Sequence, residues 1–201
     1  MSQLSSRQAR RRRKLDRAAA RLGGPGKVAP ADRAVALLEA VLEPGDRLCI
    51  EGDNQKQAAF LARCLARVDP RAVHGVSLAL SAVALPEFLD VFERGICESV
   101  DFAYAGPQAA RLARMVEAGQ VRINAIHTYL ELYGRYFTDL RLDVACVAAL
   151  QADVAGNLYT GPSTEETPAI VEAAAFNGGL VIAQASEIVE RVPRVDIPGD
   201  W

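Results

Sequence analysis

The chain has 201 residues, half of them hydrophobic and 24% charged, with a formal net charge of -2. That length and balance fit one large domain with an ordinary soluble core. The longest uncharged stretch, 72–86, holds His74 and two serines and is too short for a membrane helix, and no apolar block follows the basic N-terminus as a signal peptide requires. A cytoplasmic protein is expected.

Residues 1–27 hold nine Lys/Arg against the single acid Asp16, a balance of +8, which leaves -10 on the remainder. Such an arm can neutralise phosphates. Here no recognition-helix motif or aromatic interleaving accompanies it, so it reads as a solvated helix or a tail docking on an acidic partner, not as a nucleic-acid arm. An organellar presequence is a third reading of the same composition. Gly23, Gly24, Pro25 and Gly26 read as a linker. The expected organisation is therefore a basic arm and linker over 1–27 and an α/β domain over 28–201.

Beyond the linker, Ala34, Leu37, Leu38, Val41 and Leu42 repeat at helical spacing behind Asp32, and Pro44-Gly45 stops that helix. A short apolar strand over 47–50 follows. Helices are then expected over 55–66, from about 86, and over 107–117, 127–136 and 167–176. Strands are expected over 73–80, 99–104, 121–123, 144–150 and 180–183. Gly178-Gly179 closes the last helix. Repeated strand-then-helix units with apolar rather than alternating strands predict a mostly parallel sheet flanked by helices on both faces. Ligands of such sheets bind outside the carboxyl ends of the strands, which directs attention to the turns 51–57, 105–108 and 156–166.

The first of these turns, Glu51-Gly52-Asp53-Asn54-Gln55-Lys56-Gln57, is unusually polar for a segment directly after a buried strand. Gly52 permits close backbone approach or a positive φ, Asn54 and Gln55 offer neutral donors, and Lys56 puts a cation near a helix N-terminus. The set could hold a carboxylate or a thioester oxygen. A plain capped helix start, with Asp53 or Asn54 as the cap and Lys56 in solvent, explains the same residues. Gly106, Pro107 and Gln108 form a second strand-to-helix turn, with Pro107 suited to a first helical position. His127 and Glu131 lie four apart and share a helix face, as a base and its orienting acid or as a capped or pocket-rim pair. Gly156-Asn157 is a turn signal, and the hydroxyl-rich stretch after it includes Thr164. Ser163 and Glu166 have capping-box spacing, and the alternative is a loop whose hydroxyls and amides face a substrate. Cys49, Cys64, Cys97 and Cys146 are widely spaced, with two histidines in the chain, which argues against a zinc site, a disulfide framework or a nucleophilic thiol. No metal is expected.

Taken in order, Glu51-Gly52-Asp53-Asn54-Gln55-Lys56-Gln57, Phe102-Ala103-Tyr104-Ala105-Gly106-Pro107-Gln108, Ala125-Ile126-His127-Thr128-Tyr129-Leu130-Glu131-Leu132, Gly156-Asn157-Leu158-Tyr159-Thr160-Gly161-Pro162 and Arg191-Val192-Pro193-Arg194-Val195-Asp196-Ile197-Pro198 resemble malonate decarboxylase alpha subunits. The resemblance runs from about Ala29 to the end. Asp153-x-x-Gly156-Asn157, with Val181-Ile182-Ala183-Gln184 and Glu187-Ile188-Val189, is similar more broadly to family I CoA-transferases. The resemblance implies a CoA-transferase-like open sandwich domain and an acyl-carrier-protein transferase activity, in which acetyl-carrier and malonate give malonyl-carrier and acetate. It implies an acyl carrier protein subunit bearing a CoA-derived, phosphopantetheine-type prosthetic group, with decarboxylase subunits as further partners and no cofactor bound directly. It implies substrate contacts at Gly52, Asp53, Asn54, Gln55, Lys56, Gly106, Gln108, His127, Glu131, Gly156, Asn157 and Thr164. Where CoA-transferases carry a glycine-rich loop for the oxyanion, this chain has Asp53, Asn54 and Gln55, which moves the expectation from backbone amides to side chains. Family subunits have two related halves, and in CoA-transferases the catalytic glutamate lies in the second. The chain is thus expected to be an N-terminal half, inactive alone, with no catalytic role assigned to Glu51 or Glu131. A non-catalytic scaffold docking the carrier and decarboxylase subunits, and a sugar-phosphate isomerase-like domain, are alternatives on the same fold.

Overall fold

The computed structural model describes residues 3–23, 26–53, 55–162 and 166–193. Its strands are β1 (Arg47–Ile50), β2 (Val76–Ala82), β3 (Cys97–Tyr104), β4 (Arg122–Ile126), β5 (Val144–Asp153), β6 (Leu158–Tyr159) and β7 (Leu180–Val189). Its helices are α1 (Gln3–Ala19), α2 (Ala34–Val41), α3 (Ala59–Leu65), α4 (Glu87–Glu93), α5 (Ala109–Glu117), α6 (Tyr129–Phe137) and α7 (Thr167–Phe176). The parallel strands lie in the order β4-β3-β2-β1-β5-β7, and the two-residue β6 runs antiparallel along the far end of β5. The predicted mostly parallel sheet is present.

Strand alternation divides the core into two layers. Leu48, Ile50, Leu78, Leu80, Val100, Phe102, Val144 and Cys146 point to one face, where α2, α3, α4 and α5 cover them with residues such as Leu38, Leu61, Phe88 and Leu112. Cys49, Ala79, Ala145 and Val147 point to the other, under Leu132 and Tyr136 of α6 and Ile170 and Ala173 of α7. Small residues on this second face let α6 and α7 approach closely. Both faces are covered, which is why the strands read as near-continuous apolar runs.

The chain builds outward from β1 through β2, β3 and β4 on one side, then crosses by α6 to β5 and β7 on the other. The order therefore reverses between β1 and β5. In an open parallel sheet that point opens a crevice at the carboxyl ends of the two strands.

The basic N-terminal segment is a helix docked on the domain itself. Arg7, Arg10, Lys14 and Arg17 recur at three- and four-residue steps, so they form one stripe. The acids they meet belong to this chain. Arg7 pairs with Asp143 at 3.1 Å, Arg10 with Glu43 at 2.7 Å and Asp46 at 2.6 Å, and Arg17 with Glu43 at 2.7 Å. Lys14 and Asp46 form a fully buried pair at 2.5 Å. Burial pushes the Glu43 carboxyl up, but hydrogen bonds from Arg10 and Arg17 win and hold it at about 2. Asp46 and Asp143 precede β1 and β5, so α1 closes the amino-terminal edge of the sheet, opposite the crevice.

Candidate functional site

At the carboxyl end of β1 the chain enters a tight loop. An antiparallel bridge joins Gly52 to Gln57, and the Ala58 amide donates to the Glu51 carbonyl at 2.9 Å. One oxygen of the buried Asp53 carboxylate accepts from the Gln55 amide at 2.5 Å and the Lys56 amide at 2.7 Å, while the Gln57 side-chain amide donates to the Asp53 carbonyl at 2.6 Å. These bonds hold 55–58 out of the helix, so α3 starts at Ala59 instead of the expected Gln55. Gly52 has no positive φ. It is needed because a Cβ there would lie 2.9 Å from the Ala82 carbonyl oxygen and 3.1 Å from Phe88, so the close approach is to β2.

Lys56 turns inward rather than into solvent. Its ammonium lies 3.0 Å from Oε1 of the wholly buried Glu51, donates to the Ala148 carbonyl of β5 at 3.0 Å, and bonds the Thr167 hydroxyl at the start of α7. Glu51 Oε2 accepts the Ala148 amide at 2.6 Å, and Thr167 also donates to Glu51. A buried ion pair thus spans the end of β1, the middle of β5 and α7, in the crevice where the strand order reverses.

Glu166 completes the arrangement. Its carboxyl is wholly buried, and Glu166 is itself the cap residue before α7, with no side-chain cap bond. Its Oε1 crosses to the β1 turn and accepts the Gly52 amide at 2.6 Å and the Asp53 amide at 3.1 Å. Ser163, its partner in the capping-box expectation, lies outside the described residues, and what the buried carboxyl takes is two amides of a neighbouring turn. Burial pushes this carboxyl up to about 7, the Ser81 hydroxyl and Gly52 amide oppose the rise, and the charges of Glu51 and Asp53 add to it.

The other expected site residues are spread along the same edge. Gly106 takes φ +58 in the 3-10 turn Gly106–Gln108, packed against the Val83 carbonyl at the end of β2. His127 follows β4, three strand spacings or about 14 Å of sheet from β1. Its ring is buried, with Nε2 3.1 Å from Asp101 and Nδ1 3.3 Å from Glu131. Both nitrogens face carboxylates, so neither is turned toward a substrate. Thr128 caps α6 by accepting the Glu131 amide at 3.2 Å. Asn157 is exposed, and its amide and side chain both donate to Asp153, which closes the turn from β5 to β6 with Gly156 at φ +86. Asn54 and Thr164 lie outside the described residues. Sequence reasoning passed over Ser81 and Asp101 as members of this edge, and met Glu166 only as half of a capping box and Thr167 only as a helix start. The partners of Asp101, Glu166 and Thr167 lie 23 to 116 positions away, so no local spacing announces them. The four cysteines are buried free thiols, and burial pushes Cys146 up to about 12.

The model of the malonate decarboxylase alpha subunit family matches residues 3–201. The chain is 51% identical over 175 residues to the acetyl-S-ACP:malonate ACP transferase of Malonomonas rubra, a match covering 87% of this chain and 32% of that protein. It is similar, at 48% identity and a TM-score of 0.91, to a chain of the Pseudomonas malonate decarboxylase hetero-tetramer solved in complex with malonate, covering 98% of this chain and 36% of that one. Glutaconate coenzyme A-transferase from Acidaminococcus fermentans shares the fold alone, at a TM-score of 0.61 and 12% identity over 78% of this chain and 66% of that one. The chain spans about a third of the length of the two malonate decarboxylase relatives.

Proposed function

The chain belongs to the malonate decarboxylase alpha subunit family, and on that premise we propose that it supplies one wall of an acyl-carrier-protein transferase site. In the complete subunit that site exchanges acetate for malonate on the carrier thioester. The observation that carries this reading is the 51% identity to an acetyl-S-ACP:malonate ACP transferase. The crevice between β1 and β5 supports it, because the most polar turn of the chain is built there on a buried charged network.

In the exchange a malonate carboxylate oxygen bonds to the acetyl carbon and the carbon–sulfur bond breaks. The carrier thiolate then takes the malonyl carbon, and acetate leaves. The carrier subunit brings that thiol on its CoA-derived prosthetic group, and decarboxylase subunits consume the malonyl thioester. Asp53, Lys56 and Glu166 hold the turn rigid from within, and the exposed Gln55 stands at its tip where a substrate oxygen can reach it. Gly106, Gln108 and the α6 start extend the same edge toward the carrier. His127 positions α6 and does not act as the base.

The test is conversion of acetyl-carrier to malonyl-carrier by the full-length subunit with malonate, followed by mass spectrometry of the carrier. Malonyl-carrier is expected, and its absence sinks the reading. Gly52→Ala forces a Cβ to within 2.9 Å of the Ala82 carbonyl oxygen. The turn must move, and turnover is expected to fall about 100-fold.

A further inference from the structure

Beneath the β1 turn three buried oxygens from three elements have no hydrogen-bond partner among the described residues. They are Oε2 of Glu166 at the start of α7, Oδ2 of Asp53 in the turn, and Oγ of Ser81 on β2. All three side chains are at least nine-tenths buried. Ser81 faces the Glu166 carboxyl without closing hydrogen-bond geometry to it. Ionised carboxylates only accept, and the serine brings one proton. One serine proton can serve only one of the two carboxylate oxygens, so the other lacks a donor, and buried polar groups of native proteins rarely go unpaired.

We propose that Glu166 is a positioning residue that carries the missing proton on Oε2 and, as a neutral acid, clamps the Gly52–Asp53 turn to the start of α7. Oε1 keeps accepting the two turn amides, and the proton on Oε2 supplies the donor that the pocket lacks. The surroundings favour the neutral form. Burial raises this carboxyl, and Glu51 and Asp53 stand beside it as like charges. Cys49 from β1 and Tyr136 from α6 also face it, and both are held neutral by burial. The nearby cation, Lys56, is spent on Glu51. The role in acyl transfer rests on the site placement proposed above, while the protonation itself does not.

The sign of the pH effect follows from the proton count. The native state holds this proton up to about pH 7, whereas a free glutamate releases it near 4.5. Between those values the native state binds more protons than the unfolded chain, so stability falls as pH rises through the window. The experiment is a carbon-13 NMR titration of the Glu166 side-chain carboxyl in the 201-residue chain, assigned with Glu166→Gln, together with thermal unfolding across the same pH range. The expected midpoint is near neutrality. Glu166→Gln places an acceptor and a donor where the neutral acid has them, so it should abolish this fall in stability, whereas Glu166→Ala is destabilised at every pH. In the full-length subunit, turnover of the natural protein should drop about tenfold per pH unit above about pH 7, and Glu166→Gln should remove that limb. A midpoint in the ordinary carboxylate range, or a glutamine variant no more stable in alkali than the alanine variant, overturns the proposal. Titration and melting need no substrate, so their failure is distinct from an absence of exchange activity.

Discussion

The Lys56 ammonium and the Glu51 carboxylate are 3.0 Å apart, with the lysine side chain 13% exposed and the glutamate not at all. A pair this buried contributes little beyond what its desolvation costs, but removing one partner strands the other charge. Lys56→Met should therefore destabilise the fold by about 3–5 kcal/mol, measured by denaturant unfolding. Glu51→Gln in the same background should recover part of that loss. The sequence showed Lys56 to be near a helix start, either as a cation for a substrate oxygen or in solvent. It could not show that Ala148 and Thr167 wait behind the turn, because those contacts join positions 92 and 111 residues apart. His127 is a similar case. The pairing with Glu131 was legible from its four-residue spacing, whereas Asp101, on the neighbouring strand, was not.

Among the elements, α7 ties the candidate site to the opposite edge of the sheet. Its first turn sends Glu166 and Thr167 to the β1 loop. Its last residue leads to Asn177, whose side chain donates to the Tyr136 carbonyl of α6 and whose own carbonyl accepts Arg7 of α1. Gly178 at φ +71 ends the helix, and Gly179 then passes so close to the segment leading into β5 that a Cβ would lie 2.4 Å from the Leu142 carbonyl oxygen. Gly179→Ala must push backbone against backbone, and a loss of about 1–3 kcal/mol is expected in thermal melts. The paired glycines were readable as a helix stop. The start of α3 was misplaced by four residues, because Asp53 and Gln57 spend side-chain hydrogen bonds on a loop that apolar periodicity does not register.

At the scale of the molecule, the two ends of the parallel sheet carry opposite chemistry. The amino-terminal edge is closed by α1, whose cations meet Glu43, Asp46 and Asp143. The carboxyl edge holds the buried Glu51, Asp53 and Glu166. Lys14→Met leaves Asp46 buried with Arg10 as its remaining cation, and a loss of about 3–5 kcal/mol is expected in denaturant titrations. The asymmetry of +8 against -10 was plain in the composition. That the acids receiving the basic helix belong to the same chain emerged only when the strands were assembled, because Asp46 and Asp143 are adjacent through the pairing of β1 with β5.

By itself the sequence determined the α/β class, the strand-and-helix alternation and the family, since apolar period and ordered turn motifs are local properties of the chain. Tertiary structure assembled the candidate site. Strand order placed the reversal between β1 and β5, and burial then sorted the polar turns into those that must satisfy one another and those free to face solvent. Glu166 looked like half of a capping box because its neighbours in sequence fit one. It became the clamp on a distant turn because a buried carboxyl must find donors, and the amides of Gly52 and Asp53 supply them.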